Sequence, residues 1–401
     1  MDTTDRIEAL RNTLVDNIVR AQPTLPARVE KAMRTVRRDL HLPGASLEDA
    51  YAEKAVIIKE NSDGGVLATS CASGPSIVAM MLAQLDVREG DRILEIGAGT
   101  GYNAALLDEL TGPTGKVTTV DIDPDVALHA RTALDRAGYP HVHVMERDGL
   151  LGAPENAPYD RIEATVGAWD VPDSWWQQLR DGGRLVMPLR WRGQTRAVAL
   201  TRTGNTLTSS AMELCGFVPL VGQSGEHVLD LAGGSVRLHH DEDQNLSLSS
   251  LEHALAAAQP EQWSKTWVAG TESYDGVWLR ATASDDRVCR IEVSKAALDT
   301  GLLRRPATPV RSPALVDGDS LAYLIHTRDN VHTDRPFRLG AAGYGPDGTA
   351  LAHALITHID AWGADRGAVP QLSIHPASES TSSLPAGHVI TKHTNRLVLA
   401  Y

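Results

Sequence analysis

The run Asp91-Arg-Ile-Leu-Glu-Ile-Gly-Ala-Gly-Thr-Gly-Tyr102 constrains this chain more than any other stretch. Arg92 to Ile96 reads as a buried strand that runs into a glycine turn and then a helix. Gly97, Gly99 and Gly101 remove the side chains that would keep a ligand off the backbone. Glu95 is the polar residue in an otherwise apolar strand. Such a turn, at the carboxyl end of a first parallel strand, is where a doubly wound sheet binds a nucleotide-like ligand.

The spacing narrows the ligand. A dinucleotide fingerprint needs G-x-G-x-x-G, with its last glycine allowing close helix packing. Here the pattern is G-x-G-x-G, and position 102 is Tyr. That argues against a pyrophosphate cradle and a nicotinamide oxidoreductase, and suits a ligand without phosphates such as S-adenosylmethionine. A tight strand–helix turn with no ligand is the plainer alternative.

Ile7, Leu10, Leu14, Ile18 and Val19 recur at helical spacing within residues 4–37, and Gln22-Pro-Thr-Leu-Pro26 separates a second helix, Ala27–Val36. From residue 91 strands and helices alternate. Strands are expected at Lys116–Ile122, Val142–Met145, Tyr159–Val166, Gly183–Pro188 and Thr195–Thr201. Asp123 and Pro124 open a helix that stops at Gly138, and Pro172–Leu179 forms another. The alternation implies a parallel, doubly wound α/β sheet with helices on both faces. Beyond about residue 225 the pattern becomes mixed α+β. Strands are expected at 233–238, 277–281 and 396–400, and helices at Leu251–Ala258 and Ala350–Trp362. Two domains, 1–225 and 226–401, follow from this shift and from the length of 401 residues.

The net charge of −13, with no long basic run, disfavours nucleic acid as a partner. Cys71, Cys215 and Cys289 are too few and too scattered for a disulfide framework or a metal site. His239-His240, His353 and His358 give no convincing ligand set, so no metal is expected. No apolar run approaches the roughly 18 residues of a membrane helix, and the first residues lack a signal-peptide pattern. A cytoplasmic protein with no membrane partner is the expectation.

Four points converge on one ligand: the glycine turn, Asp121 ending the second strand, Asp148-Gly149 ending the third, and Thr165-Val166 ending the fourth. Asp121 can accept from two ribose hydroxyls. Asp148 stands where an adenine amino group would lie. Each acid alone is equally readable as a cap or a solvated loop residue. Upstream, Thr69-Ser-Cys-Ala-Ser-Gly-Pro-Ser-Ile-Val-Ala79 offers Ser73 as N-cap of a helix Pro75–Leu85, whose free N–H groups form a site for an acceptor carboxylate. Simple capping by Ser73 is the alternative. Trp169 and Asp170 shape a substrate pocket, or else pack in a loop and cap a helix.

These residues resemble the protein L-isoaspartate O-methyltransferase family over about residues 30–222. The glycine motif, Val120-Asp-Ile-Asp, Gly138-Tyr, Asp148-Gly, Ala157-Pro-Tyr-Asp-Arg-Ile and Gly182-Gly-Arg-Leu-Val match in order. Cys71-Ala-Ser-Gly-Pro-Ser-Ile77 is similar to that family's Thr-Ile-Ser-Ala-Pro-His-Met, with Ser76 in place of His. Gly216-Phe-Val-Pro-Leu220 is similar to its closing strand near the substrate. The resemblance implies a Rossmann-like class I methyltransferase fold and S-adenosylmethionine as cofactor, with S-adenosylhomocysteine as product. It implies cofactor contacts from Glu95, Gly97, Ala98, Gly99, Thr100, Gly101, Asp121, Ile122, Asp148, Gly149 and Thr165. It gives Ser73 the acceptor-positioning role and makes Cys71, Ser76, Val166, Trp169, Val218 and Pro219 substrate-binding.

Two departures shape the functional expectation. Val166-Gly-Ala-Trp-Asp-Val-Pro172 replaces the family's alanine-rich run, and the stretch beyond about 230 is extra. Both resemble an actinobacterial branch that tailors ribosomally made peptides, graspetides and lanthipeptides. The leading expectation is therefore methylation of an aspartate in a modified, cyclised precursor peptide. The ester then collapses to an aspartimide and, on hydrolysis, to isoaspartate. In that reading the C-terminal domain grips the precursor. General repair of isoaspartyl residues is the alternative, and a peptide-binding module on an inactive methyltransferase scaffold is a third reading. A carboxylate with an ordinary pKa of about 3.9 is ionised at neutral pH, so the transfer needs no strong base. Alignment and exclusion of water carry the catalysis.

Overall fold

A computed structural model describes residues 2–59, 70–329 and 333–401. These form two compact units: Met1–Leu189 with Thr195–Gln223, and Arg190–Gln194 with Ser224–Tyr401.

The first unit contains α1 (Thr3–Ala21), α2 (Ala27–Thr35), α3 (Leu47–Ala50), β1 (Val56–Lys59), β2 (Ser70–Ala72), α4 (Pro75–Leu85), β3 (Arg92–Ile96) and α5 (Tyr102–Thr111). It continues through β4 (Lys116–Asp121), α6 (Pro124–Ala137), β5 (His143–Glu146), β6 (Tyr159–Ala164), α7 (Asp173–Gln178), β7 (Leu179–Trp191), β8 (Gln194–Thr203) and β9 (Thr206–Leu214). Thr69 of the upstream motif lies outside the described residues.

Within this unit the strand order is β9-β8-β7-β6-β3-β4-β5. Strand β3 pairs in parallel with β4 on one side and β6 on the other, and the chain order reverses there. This is a class I methyltransferase sheet of the Rossmann type, but it is mixed rather than wholly parallel. Strands β7 and β8 are joined by the two-residue turn Arg192-Gly193, with φ of 48° and 74°. Positive φ at both central residues is a hairpin turn, and so short a link joins only antiparallel strands. The fifth and sixth expected strands are thus the arms of one hairpin, and β9 pairs antiparallel to β8.

The helical core follows the sequence periodicity. Helix α1 buries Ile7, Leu14, Val15 and Ile18, and α4 buries Val78, Ala79, Met81, Leu82 and Leu85. Asp123 caps α6, its carboxylate accepting from the N–H groups of Asp125 and Val126 at 3.0 and 3.4 Å. Gly138 ends that helix in the left-handed conformation.

The second unit contains β10 (Glu226–Leu231), β11 (Val236–Asp241), α8 (Leu248–Ala254), β12 (Gln262–Val268), α9 (Asp275–Thr282), β13 (Val288–Val293) and α10 (Lys295–Asp299). It ends with β14 (Ser312–Asp317), β15 (Ser320–Arg328), β16 (Phe337–Tyr344), α11 (Gly348–Ala364), β17 (Gln371–Pro376), β18 (His388–Thr391) and β19 (Asn395–Ala400). Seven strands form an antiparallel sheet in the order β10-β11-β13-β14-β15-β16-β12. Leu321, Tyr323 and Ile325 join one core, while Ala322 and Leu324 join another with Leu351, Leu355 and Trp362 of α11. The sheet is covered on both faces, which is why β15 reads as an unbroken apolar run. Residues 277–281, expected as a strand, lie in helix α9 with Val277, Trp278, Leu279 and Ala281 buried. A short apolar run does not separate buried strand from buried helix, and contact with α11 decides it.

Among the described residues no helix is long and apolar enough to cross a membrane. No three His, Cys, Asp or Glu side chains among them converge to hold a metal ion. His239 instead lies 3.2 Å from Glu292.

Gly101 has φ of 75°, and a Cβ there would lie 3.0 Å from both the Ala130 carbonyl and the Leu134 side chain of α6. Gly138 has φ of 92° but open space around it. Gly101→Ala should therefore destabilise the protein by about 2–4 kcal/mol, combining left-handed strain with overpacking, and Gly138→Ala by only about 1–2 kcal/mol. Urea unfolding of the two variants checks this difference.

Candidate active site

The reversal at β3 leaves a crevice beyond the carboxyl ends of β3, β4 and β6. A cavity of about 250 Å³ occupies it. The strand ends are stitched by main-chain bonds: Gly97 N–H donates to Val120 O at 2.8 Å and Thr165 N–H to Ile96 O at 2.9 Å. The Thr165 hydroxyl lies 2.7 Å from the Gly97 carbonyl and clamps the glycine turn to β6. Gly97 has φ of 96°, and a Cβ there would meet that hydroxyl at 2.6 Å. Only glycine fits between the turn and Thr165.

Asp121, at the end of β4, accepts from the N–H groups of Gly99 at 3.2 Å and Asp123 at 3.1 Å. Burial nevertheless pushes its carboxyl above the ordinary range. Asp148 accepts from Leu150 N–H at 2.9 Å and faces the same cavity.

A smaller chamber of about 40 Å³ shares Cys71, Gly97, Gly99 and Thr165 with this cavity, so the two adjoin. Its wall holds two fully buried carboxyls, Glu95 on β3 and Glu163 on β6. The Asn103 amide of α5 donates to both, at 2.8 Å each, and Thr119 donates to Glu95 at 2.5 Å. Burial raises Glu95 to about 8 and Glu163 to about 7, and the Glu163 carboxylate further opposes ionisation of Glu95. Arg38, Ser73 and Phe217 complete the wall.

Most residues expected from the sequence gather here. Cys71, Gly97, Gly99, Asp121, Ile122, Asp148, Gly149, Thr165, Val166, Val218 and Pro219 line the larger cavity. Ser73, Glu95, Ala98 and Thr100 line the smaller chamber. Three residues line neither. Gly101 turns toward α6 and serves helix packing. Trp169 is 4 % exposed, its main chain held by the Gln223 side chain at 2.6 Å. It is a core residue, as is Trp175, which donates to Gly149 O at 2.8 Å.

Ser76 is the third, and its position corrects the expected anion site. The N-cap of α4 is Gly74 rather than Ser73. Glu53 caps the helix instead, accepting from Ser76 N–H at 2.9 Å. The helix terminus meant for an acceptor carboxylate thus already faces one. The 216–220 segment is not a regular strand. It docks through a bridge in which Gly167 N–H donates to Val218 O at 2.7 Å.

Arg38, Asn103 and Glu163 line the chamber without having been singled out in the sequence, whereas Phe217 falls in the segment expected near the substrate. Glu163 carried a weaker signal than Glu95, because its strand also holds Asp160 and Arg161. Arg38 carried none, because nothing local marks an arginine as buried.

A family model described as Protein-L-isoaspartate(D-aspartate) O-methyltransferase (PCMT) matches residues 9–225. The chain belongs to this family. It is similar to the protein-L-isoaspartate O-methyltransferase of Methanococcoides burtonii, 41% identical over 49% of this chain and 94% of that one. It is likewise similar to the enzyme of that name from Methanothrix thermoacetophila, 37% identical over 55% of this chain and 94% of the relative. A solved structure titled protein-L-isoaspartate O-methyltransferase aligns with a TM-score of 0.49 at 20% identity, over 90% of this chain and 96% of that one.

As a member, the chain is an S-adenosylmethionine-dependent carboxyl O-methyltransferase acting on protein or peptide substrates. In this family member the raised glutamates set a pH dependence. Between the ordinary value of 4.5 and about 7–8, the folded state holds protons that the unfolded chain has released. Stability therefore falls as pH rises through that window. Glu163→Gln keeps an acceptor for Asn103 and removes one of the two protons at stake. The fall in ligand-free unfolding temperature from pH 5 to pH 8 should be visibly shallower in this variant, and an unchanged slope would show that Glu163 is ionised throughout.

Proposed function

We propose that this enzyme esterifies the free α-carboxylate of isoaspartyl residues in damaged proteins or peptides. In an isoaspartyl residue the backbone runs through the side chain, so the α-carboxylate is exposed as an acceptor. Bound S-adenosylmethionine supplies an electrophilic methyl group on a sulfonium, and the acceptor oxygen displaces a neutral thioether. The ester is then open to attack by the neighbouring backbone amide nitrogen, which expels methanol and yields a succinimide.

The observation that carries this reading is the pair of adjoining chambers at the switch point of a chain that belongs to this family. The larger would take the adenosyl group. Asp121 would accept from the ribose hydroxyls, Asp148-Gly149 would border the adenine, and Val218 and Pro219 would cover it. Gly97 to Thr100 would present backbone to the methionine end, beside Glu95. Ser73 lines the smaller chamber, where the acceptor would meet the methyl group. The Ser73 hydroxyl makes no hydrogen bond among the described residues and is available to orient the acceptor.

A second reading, methylation of an aspartate in a cyclised ribosomal precursor peptide, is favoured by one observation. Residues 224–401 form a further folded unit beyond the family match at 9–225. In that reading the second unit grips the precursor.

Intact mass of three peptides after incubation with the enzyme and S-adenosylmethionine separates the two. Gain of a methyl by an isoaspartyl peptide, with none on its aspartyl twin, is expected. Methylation or water loss confined to a cyclised precursor would replace repair by tailoring. Two variants test the assignments. Asp121→Ala should weaken S-adenosylhomocysteine binding about 10- to 100-fold through lost charge-assisted hydrogen bonds. Ser73→Ala should slow methylation about tenfold, the worth of one hydrogen bond, while leaving that affinity unchanged.

A further inference from the structure

Arg38 is 1 % exposed and sits in the 3-10 turn Arg38–His41. Its Nε donates to Ala50 O and its Nη2 to Ser73 O, both at 2.9 Å. Its guanidinium carbon lies 5.0 Å from the centre of the Tyr102 ring. The remaining nitrogen, Nη1, is buried with no hydrogen-bond partner.

Two other buried arginines have carboxylates beside them: Asp91 lies 3.4 Å from Arg161, and Asp241 3.5 Å from Arg192. The groups that act most strongly on Arg38 include Tyr102, Glu53, Tyr51 and Cys71. Of these, only Glu53 is a carboxylate, and its oxygen is engaged by Ser76 N–H. An arginine stays protonated, so Arg38 is a buried cation held by two carbonyls and a ring face, with no carboxylate in hydrogen-bond or ion-pair contact among the described residues. Burying such a charge unpaired is costly. The chamber it lines with Ser73 and the glycine turn, about 40 Å³, has room for about one carboxylate group.

We propose that Arg38 is the carboxylate-recognising cation of this site, its free Nη1 taking a carboxylate oxygen in the chamber beside Ser73. Its bond to the Ser73 carbonyl couples the acceptor loop to the same guanidinium. Two carboxylates approach this chamber in the reaction: the acceptor's own and that of the cofactor's methionine end. If the acceptor is the partner, methyl transfer destroys the charge that Arg38 binds. The pairing then holds the substrate more tightly than the transition state or the ester, so Arg38 sets KM and favours product release more than it sets kcat.

This inference rests on the proposed carboxylate acceptor, and the test separates the two. An isoaspartyl peptide and its α-carboxamide twin are titrated into enzyme saturated with S-adenosylhomocysteine, in the wild type, Arg38→Gln and Arg38→Lys. S-adenosylhomocysteine alone is titrated into each, and each is checked for a native unfolding transition. The wild type should prefer the carboxylate at least about tenfold, falling below about threefold in Arg38→Gln and staying between in Arg38→Lys. KM should rise with kcat little changed. Weakened S-adenosylhomocysteine binding with an unchanged peptide ratio assigns Nη1 to the methionine end instead. If both affinities are unchanged in a folded variant, the proposal is overturned. A wild type that binds no isoaspartyl peptide sinks the proposed function, and the S-adenosylhomocysteine titration then decides Arg38 alone. If Arg38→Gln does not fold, Arg38→Lys decides by the same ratios.

Discussion

The site depends on one topological constraint. Strand β3 is flanked by β4 and β6, both parallel to it, and the connections that follow them lead away in opposite directions along the sheet. The crevice beyond the end of β3 therefore stays open. Within it the glycine turn is held from both sides: Gly97 N–H bonds to Val120 O of β4, and the Thr165 side chain clamps the Gly97 carbonyl. Asp121 reaches back to Gly99 N–H. Each bond joins consecutive strand ends, so ligand-facing groups are fixed by the same backbone ladder that builds the sheet.

Charge is buried here in an unusual balance. Glu95 and Glu163 share one amide from Asn103, and burial keeps them largely from ionising together. The same chamber wall holds Arg38, whose Nη1 has no hydrogen-bond partner. Buried polar groups that structure leaves half-satisfied are costly, and natural proteins concentrate them at functional sites. In the reading proposed above, the chamber would meet the charged groups of the methionine end and the acceptor carboxylate.

The second unit is held by a different logic. The Arg192 main chain donates to both oxygens of Asp241 at 3.0 Å, while its guanidinium binds Asp243 at 2.8 Å and Asp286 at 3.0 Å. This buried arginine is paired, so it serves packing rather than recognition. The contrast between Arg192 and Arg38 is invisible in the sequence, because the carboxylates that pair with Arg192 lie about fifty or more residues away.

Local chemistry determined much of this protein. The strand from Arg92 to Ile96, the glycine turn, the Asp123 cap and the Gly138 stop all follow from side-chain size, φ preference and apolar periodicity over a few residues. The acids at successive strand ends were legible for the same reason, and so was the family. The tertiary structure alone decided the rest. Whether Val277 to Ala281 is strand or helix was settled by its packing against α11. Whether Ser73 or Glu53 meets the start of α4 depended on a side chain more than twenty residues away in sequence. Gly101 and Trp169 turned from ligand to core because their neighbours come from α6 and from Gln223. Arg38 came to line the chamber, buried, only in the tertiary fold. Burial and long-range pairing are properties of the assembled chain, and no local pattern encodes them.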